Sequence, residues 1–372
     1  MRSEFDWARL SWLSLVCLML AGCGSSSEEV FETDRTEAVE PAESHPPPIE
    51  PPRRESPSSV AQDQWGSRSA EVPLTRRVTQ EVRQKTGTGW TTSRSFLELV
   101  MTVSLYDPPE PERRGNSANE AMAPRHRYQV LYHQVRYGEE IPGQPPVTYD
   151  SRSPPPQIPA SAQPYHGLVD NGFRFLLTGD RREVQVYELE RFIDRCVATA
   201  DLEQRLLIRK SLEGLSGGEV VNRFVDRTVG MIPNEAVRVG DTWTGSRQVE
   251  APVPLMASNR FTIRAMTADA ADIDLAGTVA MLPTPPPAEG APPPEMDVVV
   301  KGGKILGQIR LNRRTELPVQ SRVEQSVSML IRLRDGSQIE QQGTTTTIVE
   351  SIGSSTSVSG IRLIGGTEAD RP

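Results

Sequence analysis

The chain has 372 residues, 36% of them hydrophobic, and a formal net charge of −8. It is long enough to bury a substantial core, and an acidic balance with no basic face excludes the electrostatic footprint that nucleic acid demands. Its 32 prolines are clustered rather than spread, so ordered segments alternate with open ones.

Arg2 and Arg9 open the chain, tempered by Glu4 and Asp6, and an apolar run from Leu10 to Leu20 follows, broken only by serines. This run suits the core of an export signal and is too short to span a bilayer as a stable helix. It ends in Leu20, Ala21, Gly22 and Cys23, which closely resemble the bacterial lipobox. The resemblance implies that residues 1–22 are a signal peptide cut between Gly22 and Cys23, and that the Cys23 thiol carries a diacylglycerol. Two or more acyl chains anchor stably where one is marginal. The membrane, held through acyl chains on Cys23, is therefore the first expected partner. The expected location is a bacterial cell envelope, facing the periplasm or the cell surface, with inner and outer membrane left open.

Residues 23–72 read as a lipidated, disordered, acidic and proline-rich tether. Residues 24–72 hold eleven acidic residues against four arginines, hence seven of the eight net negative charges, which leaves the rest of the chain nearly neutral. Such a stretch has too few apolar residues to offset its ordering entropy. An antiparallel β domain is expected over 73–350, and 351–372 reads as a loosely held tail apart from 361–364.

Within that domain a first strand ends near Lys85, and 86–89 turn it into a second. There Leu97, Leu99, Met101, Val103 and Leu105 alternate with mostly polar neighbours, which places one face inward. After a proline-rich excursion over 107–124, Tyr128 to Tyr137 form a third strand, and a further proline-rich loop follows it. Phe173, Phe175 and Leu177 lead through Thr178-Gly179-Asp180-Arg181 to Val184 and Val186, the signature of a hairpin. The period then changes. Leu189, Phe192, Ile193, Cys196 and Val197 follow helical spacing, as do Val220, Val221, Phe224 and Val225, with a further helix over 202–212. This is a central helical insert near 188–231. Strands resume over 242–249, 260–266, 272–279, 296–300, 305–311, 319–333 and 338–350, with Asp335-Gly336 turning the last hairpin. The fold class is α+β: a curved, half-barrel-like antiparallel sheet with a central helical insert.

Few constellations carry chemistry. Cys17 leaves with the signal and Cys23 is lipidated, so Cys196 is the remaining thiol, and its helical phase marks it as a core residue. Gly214-Leu215-Ser216-Gly217-Gly218 has the spelling of a nucleophile elbow, but every histidine precedes Ser216, which breaks the order that a hydrolase of that kind uses. Leu215 to Glu219 also resembles the signature of ATP-binding cassette proteins, without a phosphate-cradling loop anywhere in the chain. His126 and His133 are separated by an odd number of residues and point to opposite faces of their strand. Asp272 and Asp274 share one face and read as the solvated side of a hairpin. No catalytic residue, metal site or cofactor is expected.

Ile232-Pro233, Val237, Val239, Gly240, Asp241, Thr242 and Trp243 resemble uncharacterised bacterial lipoprotein families that carry an IP...V.VGDTW segment between a helical insert and a strand meander. The likeness extends over about 165–350, and the order of elements is similar to the LolA and LppX group of half-barrel envelope lipid carriers. It implies a carrier-like fold with no motif of those carriers matched. Asp241 is expected to close a turn and Trp243 to anchor the next strand in the core.

Two functions from different classes follow. The first is a non-enzymatic envelope lipoprotein whose concave sheet face, drawn from Leu97, Leu99, Met101, Phe173, Phe175 and Trp243, holds a lipid or other apolar ligand. The second is a structural or protein-interaction lipoprotein whose sheet is filled by its own helices and whose partner is another envelope protein. A cryptic hydrolase ranks third. Whether residues 189–229 plug the sheet discriminates the first two.

Overall fold

The computed structural model describes residues 68–87, 89–106, 124–178, 184–198, 200, 202, 205–206, 208–209, 217–229, 231–232, 237–250, 254–282 and 296–352. The expected signal and cleavage site, Cys23, most of the tether, Ser216 and the tail from 353 lie outside these residues.

Long stretches of period-two patterning become long strands. The first half of the sheet comprises β1 (Arg68–Thr86), β2 (Gly89–Tyr106), β3 (Pro124–Glu140), β4 (Val147–Asp150), β5 (Gly172–Thr178) and β6 (Val184–Tyr187). The second comprises β7 (Thr242–Glu250), β8 (Pro254–Met266), β9 (Ala270–Met281), β10 (Met296–Asn312), β11 (Pro318–Leu333) and β12 (Gln338–Ser351). Neighbours pair antiparallel in the order β6-β5-β3-β2-β1-β12-β11-β10-β9-β8-β7, with β4 on β3. The sheet is curved and unclosed, with β6 and β7, successive in sequence, at its two opposite edges. The chain between them contains α2 (Leu189–Val197) and α3 (Gly217–Phe224), while α1 (Gln163–His166) sits in the β4–β5 connection.

Several boundaries differ from the sequence expectation. β1 begins at Arg68, five residues ahead of the expected start at 73. β8 starts at Pro254 rather than 260, since Leu255 and Ala257 continue the buried alternation. The two strands expected over 296–300 and 305–311 are one. Gly302, at φ +143°, lets the chain pass through a bulge rather than a turn, and pairing with β11 shifts register between Val300 and Gly302 and resumes. Of the helix expected over 202–212, the described residues 202, 205, 206, 208 and 209 are helical. The sheet outweighs the helices more than the α+β reading anticipated.

Two apolar clusters share the concave face. In the first, Leu97, Leu99, Met101, Tyr128, Tyr132, Phe173 and Phe175 pack against Phe192, Ile193, Cys196, Val220 and Val221 of the insert. Phe192 is the hub: its ring lies 5.1 Å from those of Phe173 and Phe224. Asn171 fastens α2 to the sheet. Its Nδ2 donates to Gly167 O at 3.1 Å and Phe192 O at 3.2 Å, and its Oδ1 accepts from Gly172 N at 2.8 Å and Arg195 Nε at 2.6 Å. The second cluster is built from β8–β12, including Ile263, Ile273, Leu275, Ile305, Ile309 and Val323, with Met231, Ile232, Val237 and Trp243 packed at its border and no helical residue among its buried members.

Candidate functional site

The residues expected to line a ligand face divide unequally. Leu97, Leu99, Met101, Phe173 and Phe175 are all buried in the helix-covered cluster. That half of the concavity is filled by the chain's own side chains, so these five are core residues rather than an open lining. Trp243 instead belongs to the other half, on edge strand β7. There it is half-buried, stacked on Phe261 with centroids 5.4 Å apart and an interplanar angle of 21°. The expectation of an enclosed anchor is corrected to that of a rim residue, because among the described residues no strand pairs with β7 on its outer side. Asp241 closes the preceding turn as its position suggested: its Oδ2 accepts from Arg238 N at 2.7 Å, beside Gly240 at φ +92°.

The concave face also carries a polar row that neither apolar cluster includes. Gln80 on β1 lies opposite Thr345 on β12 and Ser95 on β2, and Ser95 in turn lies opposite Glu139 on β3. Four adjacent strands thus place four polar side chains in line, over about 14 Å at the usual strand spacing. Gln80, Ser95 and Glu139 are 3%, 5% and 5% exposed. Gln80 Nε2, Ser95 Oγ, Glu139 Oε1 and Thr345 Oγ1 are buried with no hydrogen-bond partner among the described residues. Asn259, further along the same row on β8, leaves Oδ1 in the same condition. Each such group carries a desolvation cost of about 1–3 kcal/mol unless something bonds to it. The sheet pairs comparable groups elsewhere: Gln84, two positions further along that face of β1, donates from Nε2 to Gln341 Oε1 at 3.4 Å.

Beside the row lies open space. Gly343, two residues before Thr345 on the same face, is buried between Val82 and Val327, yet no described heavy atom lies within 4 Å of where a Cβ would stand. Sequence reasoning missed the row because its members are far apart in the chain. A signal was present: Gln80 between Val78 and Val82, Ser95 before Leu97, and Thr345 before Thr347 and Val349 all put polar residues at the inward phase.

The helix-covered half also encloses charge. Arg76 donates from Nη1 to Arg223 O, and burial pulls its guanidinium below its ordinary value while Asp226 opposes that shift. Tyr132, which donates to Phe224 O at 2.7 Å, is held well above the usual tyrosine range by burial. Burial likewise pushes the Cys196 thiol up to about 12, against the weaker pull of Arg195 and of the Asn171 amide. His126 faces Glu316 at 3.6 Å and His133 pairs with Thr102 Oγ1 at 2.7 Å, on opposite faces of β3. Asp272 and Asp274 meet Arg310 and Arg264 at 3.7 and 3.4 Å on the outer face.

A groove of about 360 Å³ on the convex face is lined by Arg77, Glu98, Arg136, Asp150 and Arg152 among others. Arg77 and Arg136 pair there with Glu98, and Arg136 also with Asp150. Burial raises the Glu98 carboxyl, but hydrogen bonds from Arg77 and Arg136 outweigh that and hold it below the usual carboxylate range.

The family described as "Family of unknown function (DUF6263)" matches residues 127–317. No curated protein matches. Among solved structures, one concerned with lipid–protein interactions in lipovitellin is similar at 8% identity over 75% of this chain and 25% of the lipovitellin chain, with a TM-score of 0.35. The present chain therefore spans about a quarter of that protein. A DUF1329 family protein from Desulfovibrio piger ATCC 29098 is similar at 7% identity over 79% of this chain and 90% of the other, with a TM-score of 0.13. Likenesses this slight carry no argument about ligand or activity.

Proposed function

We propose that this chain, which belongs to the DUF6263 family of unknown function, is a lipid-anchored envelope protein that binds an apolar molecule against the concave face of β7–β12. The supporting observation is the asymmetry of that face. Its first half is filled by the helical insert, whereas the buried side chains of the second cluster come from strands alone. Gly277, Gly303, Gly307 and Gly343 all occupy inward register positions, and beside Gly343 no described heavy atom lies within 4 Å of where a Cβ would stand. Trp243 and Phe261, half-buried and stacked on each other, then stand at the edge of this surface, where a chain-like ligand would meet them.

Anchoring rests on Cys23 and the residues before it. Acyl labelling of the full chain tests it: Cys23→Ala should lose all incorporation of a labelled fatty acid, and persistent labelling would defeat the assignment. For the ligand, the test is titration with N-phenyl-1-naphthylamine, which fluoresces in apolar surroundings. Saturable binding that Trp243→Ala weakens several-fold is expected, and an absence of saturable binding would overturn the reading.

The filled first half favours a second reading, a structural lipoprotein whose loops engage an envelope protein partner. A chain that binds no apolar probe but recovers one defined envelope protein after crosslinking would establish it. Catalysis ranks behind both. The Cys196 thiol is enclosed and held in its protonated form, and Asp272 and Asp274 are taken up by arginines.

A further inference from the structure

We propose that Glu139, Ser95, Gln80 and Thr345 form a subsite for the hydroxyl-bearing head group of an amphipathic ligand, whose apolar part lies along β8–β12. The proposal rests on the apolar-ligand reading above and adds the class of molecule. Four independent features converge. The row crosses four adjacent strands in exact register, so its spacing is fixed by the sheet rather than by flexible loops. One polar atom of each of its residues is buried and without a partner among the described residues. It borders the space that opens before Gly343. It also lies where the helix-covered cluster ends, for Val78 and Leu97, one inward position away on β1 and β2, already pack against that cluster.

The chemistry of the row selects the head group. Glu139 Oε2 already accepts from the Tyr137 hydroxyl at 3.0 Å, which leaves Oε1 as an acceptor only. Gln80 Nε2 is a donor only, while the Ser95 and Thr345 hydroxyls donate or accept. An alternation of acceptor, hydroxyl, donor and hydroxyl is complementary to a string of ligand hydroxyls, each of which both donates and accepts. A phosphate or carboxylate head group would meet the Glu139 carboxylate and gain nothing from an acceptor. The site therefore takes an acylglycerol- or glycolipid-like molecule in preference to a fatty acid or a phospholipid phosphate.

If these groups served the fold alone, they would pair across β1 and β12 as Gln84 and Gln341 do. The two cases part experimentally. Replacing an unpaired buried polar group by an apolar one of similar shape leaves stability unchanged or raises it, whereas breaking a structural bond lowers it.

The experiment uses the full chain carrying Cys23→Ala, so that its own acyl groups do not compete, with 1-monododecanoylglycerol, dodecanoate and N-phenyl-1-naphthylamine as probes. The monoglyceride should bind at least tenfold more tightly than dodecanoate. Gln80→Leu and Thr345→Val, made separately, should each weaken the monoglyceride by about tenfold, the loss of one hydrogen bond to a buried partner. Both should leave naphthylamine affinity within about twofold, and neither should lower the melting temperature of the unliganded chain. Dodecanoate binding as tightly as the monoglyceride, equal losses for both probes, or a melting temperature that falls in both variants would each overturn the head-group assignment alone. Failure of naphthylamine to bind the unsubstituted chain would overturn the apolar-ligand reading and this assignment with it.

Discussion

Trp243 separates a rim from a core. In an enclosed position, removing an aromatic side chain costs about 3–5 kcal/mol. Phe192, which is 0% exposed and touches three other aromatic rings, meets that description, so Phe192→Ala should fall within this range. Trp243 is half-buried on an edge strand, and its main ring partner is Phe261. The stack contributes about 0.5–1.5 kcal/mol and partial burial adds about 1 more, so Trp243→Ala should cost about 2 kcal/mol. Urea titration of the two variants in parallel provides the comparison, since a shared denatured state and similar m-values let the midpoints be compared directly. A Trp243→Ala cost equal to or above that of Phe192→Ala would refute the placement of this residue at the rim. A cost near zero would refute its packing on Phe261.

Asn171→Ala removes a side chain that bonds two carbonyls, one amide and the Arg195 guanidinium, and should lower stability by about 3 kcal/mol or more, measured by the same titration; Asn171→Asp should not restore it, because the carboxylate cannot donate to Gly167 O and Phe192 O. The Cys196 thiol, pushed up to about 12 by burial, should resist a thiol reagent at pH 8 until the chain is unfolded. Its folded value lies above that of the unfolded chain, so the stability it contributes is complete below the unfolded value and is lost as pH rises towards 12; a Cys196→Ala variant that shows the same alkaline loss would exclude the thiol as its source.

The parts of the fold that were legible in the sequence are those set by neighbours along the chain. Leu97 to Leu105 declare an inward face by alternation alone, and they are buried at every second position. Asp335 declares the last turn, where its Oδ1 accepts from Ser337 N at 2.8 Å and Gly336 takes φ +82°. Phe192 and Cys196 declare the inward side of α2 by helical phase. What was not legible depends on partners remote in sequence. Gly302 and Gly303 look like a break between two strands until β11 supplies pairing on both sides of the bulge. The division of the ligand face is of the same kind. Leu97 and Trp243 lie at equivalent inward positions, yet among the described residues one packs in the helix-covered cluster and the other at the border of the strand-built one, and only the order of strands decides which.

That order also accounts for the insert. β6 and β7 are consecutive in sequence but lie at opposite edges, so the chain between them must travel from one side of the open sheet to the other. A connection of this kind has to run over the concavity or around its outside, and the packing of Phe192 on Tyr132 of β3 and Phe173 of β5 places α2 over the concavity. Having covered the first half, it returns towards β7 through Met231, Ile232 and Val237, which pack on the second cluster at its border. The described residues of this connection thus cover the first half of the face and touch the second at its border. At the limit of the helical cover lies the polar row, where Gln80 Nε2, Ser95 Oγ, Glu139 Oε1 and Thr345 Oγ1 are buried without a partner among the described residues. The boundary between the helix-covered cluster and the strand-built one is the place on this face where the proposed amphipathic molecule would meet both neighbours, its apolar chain on β8–β12 and its hydroxyls on the row from Glu139 to Thr345.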